Sequence, residues 1–213
     1  MKNIITEAAF RKMIAANPTG GYLFFGEEDY LKSYALKAAR AAVCPDPSLA
    51  IFNDMSVDFS ASGFSPDAIS SAIAASPMMA DTKMVTVSGL DIKGLRPEEF
   101  DALCDAIASL DEFDFNTFIL YVPSGMIDEG YLPKTPSTAL ARLGERLTPV
   151  RFERVSDAKL ASWALRHFEH RGVKAETGVS EALLSRCGRD MFVLANEIDK
   201  LSFYVLSNGR DYV

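Results

Sequence analysis

The sequence predicts an α/β fold: a parallel sheet covered by helices on both faces, followed by a small helical domain. Three observations carry this reading. Short and almost continuous apolar runs, Tyr22-Leu23-Phe24-Phe25 and Thr117 to Val122, suit strands buried on both faces. They alternate with longer segments whose apolar residues recur at helical spacing, the order expected when parallel strands are joined by helical crossovers. After Ser156-Asp157 the strand-like runs cease and only helical periodicity continues.

The elements follow in order. Glu7 to Ala16 is expected to be helical, with Ala9, Phe10, Met13 and Ile14 on one face, and Asn17-Pro18-Thr19-Gly20-Gly21 ends it. Tyr22 to Phe25 is the first strand, and a helix from about Glu28 to Val43 is stopped by Cys44-Pro45-Asp46-Pro47. Leu49 to Phe52 reads as a second short strand. Ser65-Pro66 opens a helix, with serine as N-cap and proline at the first helical position; Ile69, Ala72 and Ile73 form its apolar stripe, and it ends before Pro77. Lys83 to Val87 is a strand, Pro97 to Leu110 a helix with Phe100, Leu103, Cys104 and Ile107 inward, and Thr117 to Val122 a strand. Gly125 to Pro136 reads as a loop, Ser137 to Leu147 as a helix and Val150 to Val155 as the last strand. Three helical stretches then carry Leu160 to Phe168, Val179 to Ser185 and Met191 to Leu206.

Charge supports the same division and narrows the function. The 213 residues carry 22 Lys and Arg against 29 Asp and Glu, a net charge of −7. Residues 1–149 hold 12 basic and 20 acidic side chains, whereas 150–213 hold 10 and 9, so the acidity lies in the first part. The expected domains are therefore 1–155 and 156–213. Backbone binding to nucleic acid comes from clustered Lys and Arg, so this balance excludes strong autonomous binding to DNA or RNA. No run of eighteen apolar residues and no secretory h-region is present, so no membrane association and a cytoplasmic location are expected. Three widely separated cysteines, Cys44, Cys104 and Cys187, fit neither a disulfide framework nor a cysteine zinc site and read as buried or idle thiols.

Gly26-Glu27-Glu28-Asp29-Tyr30-Leu31-Lys32-Ser33 has the outline of a phosphate-binding loop without its chemistry. Such a loop needs a second glycine so that backbone N–H groups can wrap a phosphate, and here that position is Leu31. Glu27, Glu28 and Asp29 would repel a triphosphate and satisfy the helix terminus themselves. The same residues also fit an ordinary strand-to-helix turn, in which Lys32 is a helix-surface lysine.

A degenerate phosphate loop in an α/β domain followed by a helical lid is the arrangement of AAA+ proteins. Within that class the chain resembles the delta subunit of the bacterial DNA polymerase III clamp loader. The resemblance rests on Gly21 to Leu31, on Ser76-Pro77-Met78-Met79-Ala80-Asp81-Thr82-Lys83-Met84-Val85, on Leu160 with Trp163, and on Gly188-Arg189-Asp190-Met191 followed by Asn196-Glu197-Ile198-Asp199-Lys200-Leu201. It implies an AAA+-like fold with a degenerate P-loop at Gly26, Leu31, Lys32 and Ser33. It also implies a subunit that binds and opens the ring-shaped sliding clamp, the beta subunit, while neighbouring loader subunits hydrolyse ATP. No cofactor is expected. An enzyme label attaches only through the DNA-directed DNA polymerase that the loader serves, and DNA is met only through the complex.

In the family the clamp is gripped by a helix of the first domain and the apolar pair at its end. The corresponding residues are Ile69, Ile73, Ser76, Pro77, Met78 and Met79. Two flexible thioethers beside a helix-ending proline suit an apolar knob for a partner's pocket, and they equally suit a cap over the core between helix and strand. The family usually carries an aromatic residue where Met79 stands, which implies a weaker grip or a differently shaped pocket. It also carries a third, helical collar domain, and this chain ends before it, so the resemblance implies a monomeric piece that keeps clamp contact and loses stable assembly with the other loader subunits.

Other motifs carry less. Ser185-Arg186-Cys187 matches the arginine-finger triplet of related loader subunits, but it falls in the helical domain rather than the α/β domain. No acidic pair ends a strand to organise magnesium. His167 and His170 have near-ligand spacing on a helix without a third ligand. Two other functions remain open at this stage: an active P-loop ATPase or kinase with an unusual loop, and a structural adaptor on the same scaffold.

Overall fold

The computed structural model describes residues 1–213, which form two compact units, Met1–Glu153 and Arg154–Val213. The first runs β1 (Ile5–Thr6), α1 (Glu7–Ala16), β2 (Gly20–Gly26), α2 (Asp29–Val43), α3 (Pro47–Asn53), β3 (Asp54–Asp58), α4 (Pro66–Ala74), β4 (Lys83–Ser88), α5 (Pro97–Ala108), a 3-10 turn at Ser109–Asp111, β5 (Asn116–Tyr121), β6 (Gly130–Tyr131), β7 (Thr135–Pro136), α6 (Thr138–Arg146) and β8 (Thr148–Phe152). Six strands make one all-parallel sheet in the order β1-β8-β2-β5-β4-β3.

Alternation along the strands sorts side chains to the two faces. Leu23 and Phe25 of β2, Val85 and Val87 of β4, and Phe118 and Leu120 of β5 join Ile69, Ile73, Leu103, Ile107, Leu140 and Leu143 of α4, α5 and α6 in one core. Tyr22, Phe24, Met84 and Ile119 face the other way, toward Phe10 and Ile14 of α1 and Ala35, Ala39 and Val43 of α2. Phe10 anchors that second layer edge-on to Tyr22 and to Phe24, each with ring centroids 4.9 Å apart. The sheet is thus covered on both faces, which is why its central strands read as unbroken apolar runs.

The sequence and the structure part at four places. Leu49 to Phe52, expected as a strand, lies in α3. Asp46 caps that helix by accepting from the Ser48 backbone N–H at 2.8 Å, and Pro47 sits in its first turn, so local start signals outweigh the short apolar run. The strand follows at β3, an edge strand in which Asp54, Ser56 and Asp58 alternate with Met55 and Val57. The segment 125–136 contains the two-stranded antiparallel ribbon β6–β7. Two-residue β1 is too short to leave a periodic signal, and β8 ends at Phe152 rather than Val155.

The second unit contains α7 (Asp157–His170), α8 (Thr177–Cys187) and α9 (Met191–Ser207). Leu160, Ala164 and Phe168 of α7, Leu183 of α8, and Met191, Leu194 and Ile198 of α9 are buried. Asp190 caps α9 by accepting from the Phe192 and Val193 N–H groups. Asp199 accepts from Arg171 at 2.7 Å and from His167 Nε2 at 3.0 Å. Partial burial opposes the charge of Asp199, but the bonds from Arg171 and His167 hold its carboxyl below the usual range. His167 is thereby engaged by Asp199, and no group of His, Cys, Asp or Glu is arranged to hold a metal.

Candidate functional site

Two places in the first unit contain the residues that sequence reading singled out. One is the turn from β2 into α2, at the carboxyl end of the sheet, where ligands of open α/β sheets bind. Gly26 has φ 111°, a backbone conformation open only to glycine, and a Cβ there would collide with the Phe152 backbone. Leu31, in place of the second loop glycine, packs its half-buried side chain against the core under α2.

Lys32 is not the surface lysine of the alternative reading. It is fully buried, and its Nζ donates to the carbonyl oxygens of Gly26 at 2.9 Å and Val122 at 2.8 Å. Asp29 lies 2.7 Å from the same nitrogen, and the Tyr121 ring centroid lies 5.6 Å away. Burial holds Lys32 below the ordinary lysine range, with Asp29 opposing. The Asp29 carboxylate also accepts from the Ser124 N–H at 3.1 Å, and its carbonyl oxygen accepts from the Tyr121 hydroxyl at 3.2 Å. Burial, helped by the Asp29 charge, pushes that phenol up to about 12.

The expected acidic cap is absent in this form. Glu28 stands at the N-cap without a side-chain capping bond, and Asp29 spends its carboxylate on Ser124 and Lys32 instead. The crevice where a phosphate would sit is thus spanned by the chain's own ammonium, carboxylate and carbonyl groups. Ser33 is half-buried one residue further along the helix.

The second place is the segment after α4. Ser65 caps that helix from the Ala68 N–H, and its last carbonyls are met from the sheet: Lys83 Nζ donates to Ala72 O and Asn116 Nδ2 to Ile73 O, the latter at 3.1 Å. Ile69 and Ile73, expected among partner-binding residues, are fully buried because they form the helix's core stripe. They offer no surface and serve instead to seat the helix. Ser76 is exposed and Pro77 half-buried. Met78 is 50% and Met79 84% exposed, so the pair does not cap the core.

Met79 also has φ 56°, the left-handed region that a non-glycine residue enters only at a cost. Asn53 at the end of α3, a residue that sequence reading passed over, holds this tip: its Oδ1 accepts from Met78 N–H at 2.7 Å and its Nδ2 donates to Met78 O at 2.9 Å. Beside Asn53 on α3, Ile51 is 79% and Phe52 52% exposed. Placing that apolar run in a core strand hid both. A sequence signal was available in the Asp46-Pro47 helix start.

No protein-family model and no curated protein matches this sequence. Solved structures do. A Bacillus subtilis DNA clamp loader delta protein superposes with a TM-score of 0.62 at 17% identity, covering 98% of this chain and 60% of that one. A Thermotoga maritima DNA polymerase III gamma subunit-related protein gives 0.55 at 15% identity over 95% of this chain and 60% of its own. The Thermotoga maritima RuvB Holliday junction branch migration motor gives 0.59 at 11% identity over 97% and 63%. The chain therefore spans about three-fifths of each of these proteins. With its parallel sheet, its β2–α2 turn closed by Lys32 and its separate three-helix unit, the chain has the AAA+-like fold that these clamp-loader and branch-migration proteins share.

Proposed function

We propose that this chain is a delta-type clamp-loader subunit that binds the sliding clamp and favours its open form without hydrolysing ATP. The observation that carries the reading is the Met78–Met79 tip: two large apolar side chains held in solvent beyond the end of α4, one of them on a strained backbone. Apolar surface of this kind is stable in water only at a cost, and a pocket on a protein partner relieves it. The resemblance drawn from the sequence and the likeness in fold to clamp-loader proteins support the sliding clamp as that partner.

The chemistry is binding alone. A wedge that fits the open ring better than the closed one shifts the equilibrium toward opening by its difference in affinity, and by no more. The β2–α2 turn supports the noncatalytic part of the reading, because Lys32 already has carbonyl and carboxylate partners where a nucleotide enzyme directs its lysine at phosphate. Assembly with the other loader subunits in the full-length protein, contact with DNA through them alone and a cytoplasmic setting belong to the same proposal. No helix is long and apolar enough to cross a membrane.

A titration against the sliding clamp of the same organism, without nucleotide, tests it. Wild type binds, and Met78→Ala/Met79→Ala binds about 30-fold more weakly, the equivalent of roughly 2 kcal/mol of lost apolar burial. Absence of wild-type binding would remove the clamp role and leave an adaptor for another protein.

A further inference from the structure

The segment from Ser76 to Thr82 has no regular structure, and its hydrogen bonds all go to one side chain. Asn53 is 1% exposed and uses its whole amide: Oδ1 accepts from Met78 N–H, while Nδ2 donates to Met78 O and, at 3.1 Å, to Leu49 O within α3. The amide thus pairs with Met78 as a neighbouring strand would, satisfying both of its backbone groups. Immediately before this point Pro77 has no N–H to offer, and immediately after it Met79 takes its left-handed φ. Such a conformation persists only where the surroundings impose it.

We infer that Asn53 is the positioning residue of the tip, fixing the backbone at Met78 so that Met78 and Met79 meet their protein partner already in the binding conformation. The inference rests on the proposed clamp contact. Its physical content is entropic. A free seven-residue segment samples many conformations, and its apparent affinity falls by the fraction of time spent in the competent one. A buried amide that pins the centre of the segment lifts that fraction before the partner arrives. No other residue reaches this backbone by hydrogen bonding, so removing Asn53 frees the segment while leaving both thioethers intact.

The test compares wild type, Asn53→Ala and Met78→Ala/Met79→Ala in clamp titrations, with amide hydrogen exchange read residue by residue at a temperature where all three are folded. In wild type the Met78 amide exchanges far more slowly than those of Ser76, Met79 and Ala80. In Asn53→Ala that protection is lost while Val85 and Phe118 in the sheet keep theirs, and the clamp Kd weakens about tenfold, as expected if one conformation in roughly ten is competent. A merely structural role would lower sheet protection as well.

Wild-type clamp binding that is lost in the methionine variant but unchanged in Asn53→Ala overturns the inference and leaves the clamp contact standing. Binding unchanged in the methionine variant overturns both. Should Asn53→Ala not fold, the wild-type exchange pattern still decides: an unprotected Met78 amide overturns the inference.

Discussion

The Lys32 ammonium donates to the Val122 carbonyl oxygen at 2.8 Å, joining the first turn of α2 to the end of β5 across ninety residues of sequence. The same nitrogen binds Gly26 O, so one side chain closes the carboxyl end of two adjacent strands. The ammonium is an internal strut, held by two carbonyl oxygens and the Asp29 carboxylate.

Lys32→Met removes that strut and leaves two carbonyl oxygens without their donor and Asp29 without its cation. A stability loss of roughly 2–3 kcal/mol is expected, read as a lower urea midpoint at unchanged m-value. A midpoint equal to wild type would mean that water replaces the ammonium and that the turn is open.

Mg-ATP is expected to give no saturable binding in calorimetry, because the loop has Leu31 where phosphate needs bare backbone and its lysine is already engaged. Saturable heats that vanish in Lys32→Met would instead favour an active nucleotide-binding enzyme.

Gly26→Ala is expected to cost more than about 3 kcal/mol, since φ 111° excludes a side chain and the added Cβ meets the Phe152 backbone. Thermal unfolding of the purified variant, or its failure to accumulate folded, checks this.

Lys83 gives a pH signature. Burial pushes its ammonium down from 10.5 to about 8, with Ala72 O and the Phe115 ring as its neighbours. Between those values the unfolded chain binds more protons than the folded one, so this group's contribution to stability rises with pH across the window and is lost as pH falls through about 8. Lys83→Met, which buries no charge, is expected to equal or exceed wild type in Tm at pH 7, with wild type gaining on it between pH 8 and 10.5. A constant difference across that range would show that Lys83 titrates as an ordinary lysine.

Met79→Gly separates stability from binding. Glycine accepts φ 56° without strain, so the variant is expected to gain up to about 1 kcal/mol in chemical unfolding while its affinity for the clamp falls. Tighter clamp binding by the glycine variant would contradict a role for the thioether.

What the sequence disclosed follows from which signals are local. Strands buried on both faces announce themselves as apolar runs, and Ser65-Pro66 and Ser137 mark helix starts through short-range capping, so β2, β4, β5, α4 and α6 were legible. Leu49 to Phe52 misled because four apolar residues in a row suit a buried strand as well as an outward helix face; the Asp46-Pro47 start beside them marks the helix, and the structure then shows Ile51 and Phe52 in solvent. The part played by Asn53 was invisible for a different reason. Its partner lies twenty-five residues away, and no spacing rule connects an asparagine to a remote backbone. Lys32 was misplaced likewise: its acceptor at Val122 becomes a neighbour only once β2 and β5 pair.

The backbone at Met79 also restricts which side chains can replace it. A left-handed φ of 56° admits glycine, asparagine and unbranched residues at moderate cost but crowds valine, isoleucine and threonine at Cβ. Mutational drift at the tip is therefore channelled toward changes of length and polarizability rather than of branching. A partner pocket that adapts alongside it would track depth, not girth.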